Sequence, residues 1–251
     1  MLTQEQIADF HSNGFLVLPQ LGSSAYCHRV LQFAEQQLAQ AVLPFELETE
    51  TGYPGAPASR GDQGGDTVRR ILHVTLRDRL ISDWATGAAL ATPLKQLLGE
   101  NILLSQVHHN CIMTKQPRYS SLTGWHRDSR YWHFQRPELV SAWLALRNET
   151  VENGCLLVIP GSHRVQVDVD ALDEAQFLKT GFPPNQSLLA QAVPVPLNAG
   201  DVLLFSSNLF HAAGKNHTSQ TKFSMVFTYR AEDNPPIEGT RSTRLPEVRI
   251  G

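Results

Sequence analysis

The chain has 251 residues, 41% of them hydrophobic and 18% charged, which is ordinary for a globular protein and sufficient for a substantial core. A net charge of −3 leaves no general nucleic-acid footprint, and no apolar run reaches the roughly 18 residues needed to span a membrane. Three cysteines without paired spacing, Cys27, Cys111 and Cys155, read as free thiols of a reducing compartment and argue against a CxxC zinc site. Residues 1–5 lack the basic and apolar regions of a signal peptide, so the expected location is cytoplasmic.

Helices come first along the chain. Thr3-x-x-Gln6 is a capping-box pattern, Ile7 and Phe10 begin an apolar stripe, and Gly14 can end the helix. Residues 15–18 predict a short strand. A second amphipathic helix is predicted over about 24–41, with Tyr26, Val30, Phe33, Ala34, Leu38 and Ala41 near helical spacing. Residues 51–66, rich in glycine and poor in apolar side chains, predict a long mobile loop, a candidate lid. A third helix is predicted over roughly 80–98, interrupted near Pro93.

From Ile102 onward the pattern is of short strands and turns. Apolar runs at 139–146 and 156–159 have strand length, and a turn at Asn198–Asp201 leads into another run ending at Phe205. Residues 164–192 are a polar excursion. Residues 222–230 alternate, with Phe223, Met225, Phe227 and Tyr229 opposite Lys222, Ser224, Thr228 and Arg230. There is no internal repeat and no sign of a second domain, so 1–251 reads as one domain. Helices followed by strands predict an α+β chain with an antiparallel sheet.

The chemistry is concentrated in Gly124-Trp125-His126-Arg127-Asp128 and, further on, Phe210-His211-Ala212. On extended chain His126 and Asp128 project to the same side. With His211 from another strand they form two imidazoles and a carboxylate, a set that caps one face of octahedral iron(II) and leaves three positions open. A chelating co-substrate and O₂ would fill them. A His-x-acid triple alone is weak, since 10 His and 24 Asp plus Glu make one expected by chance. Its surroundings decide.

Those surroundings resemble the phytanoyl-CoA dioxygenase family. The resemblance rests on Trp125-His126-x-Asp128, Asn153-Gly154-Cys155-Leu156, Ile159-Pro160-Gly161-Ser162-His163, Ala199-Gly200-Asp201 and Phe210 to Asn216, with Phe10 to Pro19 at the start. It covers about residues 5–230. It implies a double-stranded β-helix, a cupin-like jelly roll backed by N-terminal helices. It also implies an iron(II)/2-oxoglutarate-dependent oxygenase that binds iron at His126, Asp128 and His211, uses 2-oxoglutarate and O₂, and releases succinate and CO₂. Related enzymes that halogenate carry a small residue in place of the carboxylate, so Asp128 favours hydroxylation.

The same resemblance assigns 2-oxoglutarate contacts. Family members place an arginine eleven residues beyond the distal histidine to hold the C5 carboxylate. Here that residue is Lys222, which keeps the charge without the planar fork. Ser224 on the same face could add a hydrogen bond, and Trp143 and Cys111 fall where relatives contact the co-substrate. Arg230 lies ~26 Å further along the strand, too far to substitute.

Other candidates carry less. Lys115 leads into the triad loop with nothing to distinguish it from a solvated lysine. Adjacent His108 and His109 should point to opposite faces of a strand, so at most one faces a pocket. His163 reads as structural in its turn. Arg60, Arg69, Arg70, Arg127 and Arg130 stand near expected pocket walls and suit an anionic small-molecule substrate, or face water. No oligomeric state is implied. Two alternatives remain open at this point: an iron oxygenase that does not use 2-oxoglutarate, and a non-catalytic jelly-roll binding protein.

Overall fold

A computed structural model describes residues 1–251 except Pro54 and Arg118. Helix α1 (Gln4–Asn13) begins at the Thr3–Gln6 capping box and ends at Gly14, which adopts φ +81°. That glycine is fixed sterically as well, because a Cβ there would lie 2.4 Å from the His163 ring. Strand β1 (Phe15–Leu18) follows, then α2 (Ser24–Ala39), capped by the Ser23 hydroxyl. Two strands absent from the sequence reading come next, β2 (Phe45–Leu47) and β3 (Val68–Leu72).

The third predicted helix is two, α3 (Arg79–Ala85) and α4 (Ala88–Leu98). The break falls at Gly87 instead of Pro93. A Cβ on Gly87 would sit 2.7 Å from the Asp83 carbonyl oxygen, so the tight passage between the helices needs a residue without one. The remaining elements are β4 (Ile102–Lys115), β5 (Thr123–His126), β6 (Leu139–Ala145), β7 (Leu156–Val158), α5 (Gln186–Leu189), β8 (Val193–Val195), β9 (Val202–Ser206), β10 (His211–Ala213), β11 (Lys222–Ala231) and β12 (Val248–Ile250).

The strands form two antiparallel sheets. The larger runs β1-β9-β6-β11-β4-β3-β2, with β12 also paired to β4; the smaller runs β5-β10-β7-β8. This is the jelly-roll arrangement expected from the resemblance, with helices against the outer face of the large sheet. Alternation along each central strand divides its side chains between two cores. Val140, Ala142 and Leu144 of β6 and Phe223, Met225, Phe227 and Tyr229 of β11 pack outward against Phe10, Val30, Ile81, Leu90 and Leu94 of the helices. Trp143, Ala145, Leu203, Phe205 and Val226 face inward, against Leu156, Val158 and Ala213 of the small sheet. Truncating a fully buried side chain such as Leu90 to alanine should cost about 2–5 kcal/mol.

The polar face of β11 does not meet water. Lys222, Ser224, Thr228 and Arg230 are all buried, because the inner face of the sheet is the barrel interior. Strand β4 carries the main irregularity. Its pairing with β11 steps from Ser105↔Thr228 directly to Asn110↔Phe227, so Gln106, Val107, His108 and His109 have no partner there. The described residues of the loop at 51–66 form turns, bends and irregular backbone, with an aromatic anchor in Tyr53, which is buried and set edge-on to Phe177. Among the described residues no helix is long and apolar enough to cross a membrane.

Candidate metal centre

Strands β5 and β10 pair so that His126 and His211 stand directly opposite each other, with ring centroids 4.2 Å apart. Arg127 continues the extended backbone beyond β5 (φ −111°, ψ 138°). Asp128 therefore projects to the same side as His126 before the chain turns. The ligand atoms of His126, Asp128 and His211 lie within 4.8 Å of one another, and all three residues are buried. The site is reached by pairing two short strands that lie far apart in sequence.

Hydrogen bonds set the imidazole tautomers. His126 Nδ1 is 2.8 Å from the Gly124 carbonyl oxygen, and His211 Nδ1 is 3.0 Å from that of Leu209. A carbonyl only accepts, so each Nδ1 carries the proton and each Nε2 presents a lone pair. These Nε2 atoms lie 3.8 and 3.7 Å from Asp128 Oδ1. Asp128 Oδ2 is buried without a hydrogen-bond partner among the described residues. Burial first, then His211 and Arg130 beside it, holds the His126 imidazole well below its ordinary value of 6.5, in the neutral form that ligates. Two imidazole Nε2 atoms beside one oxygen of a buried carboxylate whose other oxygen has no hydrogen-bond partner among the described residues fit a divalent transition-metal ion, and the donor types suit iron(II).

Packing keeps the pair in place. Phe205 lies 5.1 Å from the His211 ring, and Tyr53 and Phe177 lie 6.3 and 5.6 Å from that of His126. His109 is a near neighbour, its Nε2 3.6 Å from Asp128 Oδ1. Among the described residues it does not join the cluster of converging ligand atoms.

The triad lies on the wall of a cavity of about 380 Å³, a size typical of small-molecule sites. One part is cationic, with Arg69, Lys115 and Lys222 beside Thr123 and Trp143. Lys222 is not a lone charge. Its Nζ donates to Glu149 Oε2 at 2.9 Å and to Ser224 Oγ at 3.2 Å, and it lies 5.0 Å from the Trp143 ring centre. Glu149 also accepts from Ser224 Oγ at 2.6 Å and from Trp143 Nε1 at 2.9 Å. Ser224 is fully buried behind the wall and is not among its lining residues.

Arg69 donates to the Thr114 carbonyl at 2.8 Å and to Thr123 Oγ1 at 3.1 Å, and Lys115 Nζ donates to the Ser121 carbonyl at 2.9 Å. Burial, with Arg69 and Lys222 nearby, drives the Lys115 ammonium well below its ordinary value. Glu48 is buried in the same region, bonded to the Ser121 hydroxyl. Arg69 and Lys222 are thus matched in number by Glu48 and Glu149, and Lys115 adds a positive charge only when protonated. Cys111 also lines the cavity, and burial pushes its thiol up to about 12, so it is a small apolar wall and not a thiolate ligand.

Of the five arginines noted in the sequence, only Arg69 and Arg70 line the cavity. Arg127 donates to the Ser162 and Val165 carbonyls over the Phe210 ring, Arg130 to the Ala175 carbonyl over Phe177, and Arg60 pairs with Glu50 at the surface. His163 packs in its turn, with Nε2 3.2 Å from the His11 carbonyl oxygen. His108 and His109 both line the cavity, contrary to the expectation from strand alternation. The unpaired stretch of β4 is the reason: a bulge breaks the alternation that the expectation assumed. Glu149 and Glu48 carried no signal in the sequence, and Lys115 had looked like a solvated lysine but is 2% exposed.

Comparison with known proteins gives a family match over residues 10–224 to phytanoyl-CoA dioxygenase (PhyH). The ectoine dioxygenase of Halomonas elongata is 30% identical over 190 residues, which span 69% of this chain and 56% of that relative. The ectoine dioxygenase of Sphingopyxis alaskensis is 26% identical over 250 residues, 93% of this chain and 77% of the relative. The crystal structure of EctD from S. alaskensis with 2-oxoglutarate and 5-hydroxyectoine superposes with a TM-score of 0.74 at 25% identity, covering 94% of this chain and 78% of that one.

Proposed function

The chain belongs to the phytanoyl-CoA dioxygenase family of iron(II)/2-oxoglutarate oxygenases, and on that footing we propose that it hydroxylates an unactivated C–H bond of a small metabolite. The whole of residues 1–251 acts as one such domain, in the cytoplasm. His126, Asp128 and His211 hold the iron. Bound there with 2-oxoglutarate and O₂, iron(II) supplies the oxidising chemistry: one oxygen atom enters the substrate C–H as hydroxyl and the other leaves in succinate, with CO₂ released.

The chain's own work is orientation and exclusion of water. The Gly124 and Leu209 carbonyls hold both imidazoles in the ligating tautomer, and Phe205, Phe177 and Tyr53 shield them. The cationic part of the cavity receives the far carboxylate of 2-oxoglutarate. Arg69 and Lys115 line that end. Lys222 takes part while tethered by Glu149, which also holds Ser224 and Trp143 in place. Trp143 and Cys111 form the walls along the co-substrate chain. A carboxylate arriving beside Lys115 would favour its ammonium form, so binding and proton uptake are linked there.

The observation that carries the reading is the His126–His211 cross-strand pair, both Nε2 atoms within 3.8 Å of Asp128 Oδ1, on the wall of a cavity that Arg69, Lys115 and Lys222 also line. Titration of 2-oxoglutarate into anaerobic iron(II) protein tests it. A weak visible charge-transfer band that saturates at one equivalent is expected. Protein that binds iron but develops no band would point to an oxygenase without 2-oxoglutarate, and protein that binds neither to a non-catalytic binder. A substrate screen scored by succinate release follows.

A further inference from the structure

The mouth of the cavity joins the irregular stretch of β4 and the C-terminal segment to Trp132, at the end of the turn that begins at Asp128. The unpaired residues of β4 tie down the C-terminal segment. Gln106 Nε2 donates to the Pro246 carbonyl at 2.7 Å, and His108 Nε2 lies 2.9 Å from Ser242 Oγ. The backbone N–H of His133 donates to the same hydroxyl at 2.9 Å. Ser242 is fully buried under these contacts, and its neighbour Arg241 is thereby set on the cavity wall. Trp132 completes the surface, stacked on His108 at 4.9 Å and edge-on to His109 at 5.1 Å.

Charge at the mouth is unbalanced in one place. Glu46 is bonded to Arg70, and Glu50 to Arg60. The Arg241 guanidinium has no ion-pair or hydrogen-bond partner among the described residues, although Arg241 lines the cavity beside those pairs. His108 Nδ1 is likewise buried without a partner among them. An unpaired guanidinium offers a planar fork for a carboxylate or phosphate. A flat indole backed by imidazole offers a face for a ring or planar group.

We propose that this mouth is the substrate subsite, and that it takes a small molecule carrying an anionic group on Arg241 and a flat portion on Trp132, with the C–H to be oxidised turned inward toward the triad. The C-terminal segment, held by Ser242, is then a specificity element. This rests on the oxygenase reading of the same cavity and narrows its substrate class.

The test uses anaerobic protein loaded with iron(II) and 2-oxoglutarate, screened by thermal shift. The probes are matched sets of small ring compounds bearing a carboxylate, a phosphate monoester or a neutral primary amide. Saturable stabilisation by anionic members and none by the amides is expected. For the tightest ligand, Arg241→Gln should raise Kd about tenfold, the loss of one partly solvated charge-assisted contact, and Arg241→Lys should recover part of it. Ser242→Ala, which loosens the segment without altering its charge, should weaken the same ligand. Affinity for 2-oxoglutarate, read from the charge-transfer band, should stay within about twofold in all three variants, since the mouth contacts do not include the cationic end. Stabilisation confined to carboxylates or to phosphates fixes which anion is recognised. Amides as effective as acids, no anionic ligand in the set, or wild-type binding by Arg241→Gln would overturn the proposal. Wild-type protein unable to bind 2-oxoglutarate would overturn the underlying reading instead, and the anion arm is then read on metal-free protein.

Discussion

Lys222 gives the sharpest test of how the cavity is built, because its partner makes two effects separable. Its Nζ is 2.9 Å from Glu149 Oε2 in a pair that is 3% and 0% exposed at the two side chains. At an effective dielectric of about 20 the attraction at that distance is about 6 kcal/mol, most of it offset by desolvation. Lys222→Ala leaves Glu149 buried without its cation, a change that costs about 3–5 kcal/mol. The Trp143 and Ser224 donors still hold that carboxylate, so the lower end applies. For a chain of this length a loss of about 3 kcal/mol lowers Tm by about 6–12 °C. If Lys222 also serves 2-oxoglutarate, Kd for the co-substrate rises about 10- to 150-fold, the worth of one charge-assisted contact. Glu149→Gln separates the two effects: it removes the tether and keeps the cation, so stability falls while 2-oxoglutarate affinity holds or tightens. Thermal melts and anaerobic titrations on the three proteins supply both numbers. A Lys222→Ala protein that melts like wild type refutes the energetics assigned to the pair. One with weakened stability and unchanged 2-oxoglutarate Kd assigns the carboxylate to Arg69 and Lys115 alone.

Further outcomes follow from the same geometry. His126→Ala or His211→Ala should each remove most turnover, and the double variant should lose stoichiometric iron binding by metal analysis; wild-type turnover in His211→Ala would dismiss the triad. Limited proteolysis should cut within 51–66 in the apo protein and slow when co-substrate and substrate are present, with equal cleavage in both states counting against a lid. Burial pushes the His108 imidazole down to about 3, so between that value and 6.5 the unfolded chain binds more protons than the folded one. Stability contributed by this group is therefore complete above 6.5 and is lost as pH falls toward 3, by about 2 kcal/mol at pH 5. Melts across that range should show a shallower acid dependence in His108→Phe, and an unchanged slope would remove His108 as the cause.

What was legible in the sequence and what was not divides along a physical line. Local signals survived intact: the Thr3–Gln6 box and Gly14 bound α1 as expected, and the alternation of 222–230 separated helix-facing from interior side chains correctly. The triad was legible because backbone alternation fixes His126 against Asp128, while the order of motifs supplied His211. The failures came where tertiary context supplies what a residue's own neighbourhood lacks. Lys115 reads as a solvent lysine until the jelly roll closes over it, and Glu149 gives no signal until Lys222, Ser224 and Trp143 converge on it. Periodicity likewise excluded one of His108 and His109, since a period of two admits only one to a face. The bulge in β4 suspends that period for four residues, two of which, His108 and His109, line the cavity. Departures from regular pairing cost ladder hydrogen bonds, so their placement at a cavity mouth is informative. Here the irregular stretch aims two imidazoles inward, and through Gln106 and His108 it anchors the segment that delivers Arg241. The two histidines of the triad stand on β5 and β10, whereas the proposed substrate subsite draws on β4 and the C-terminal segment and meets the triad at the turn from Asp128 to Trp132. The proposed determinants of substrate choice therefore fall in the part of the chain where sequence periodicity is least informative.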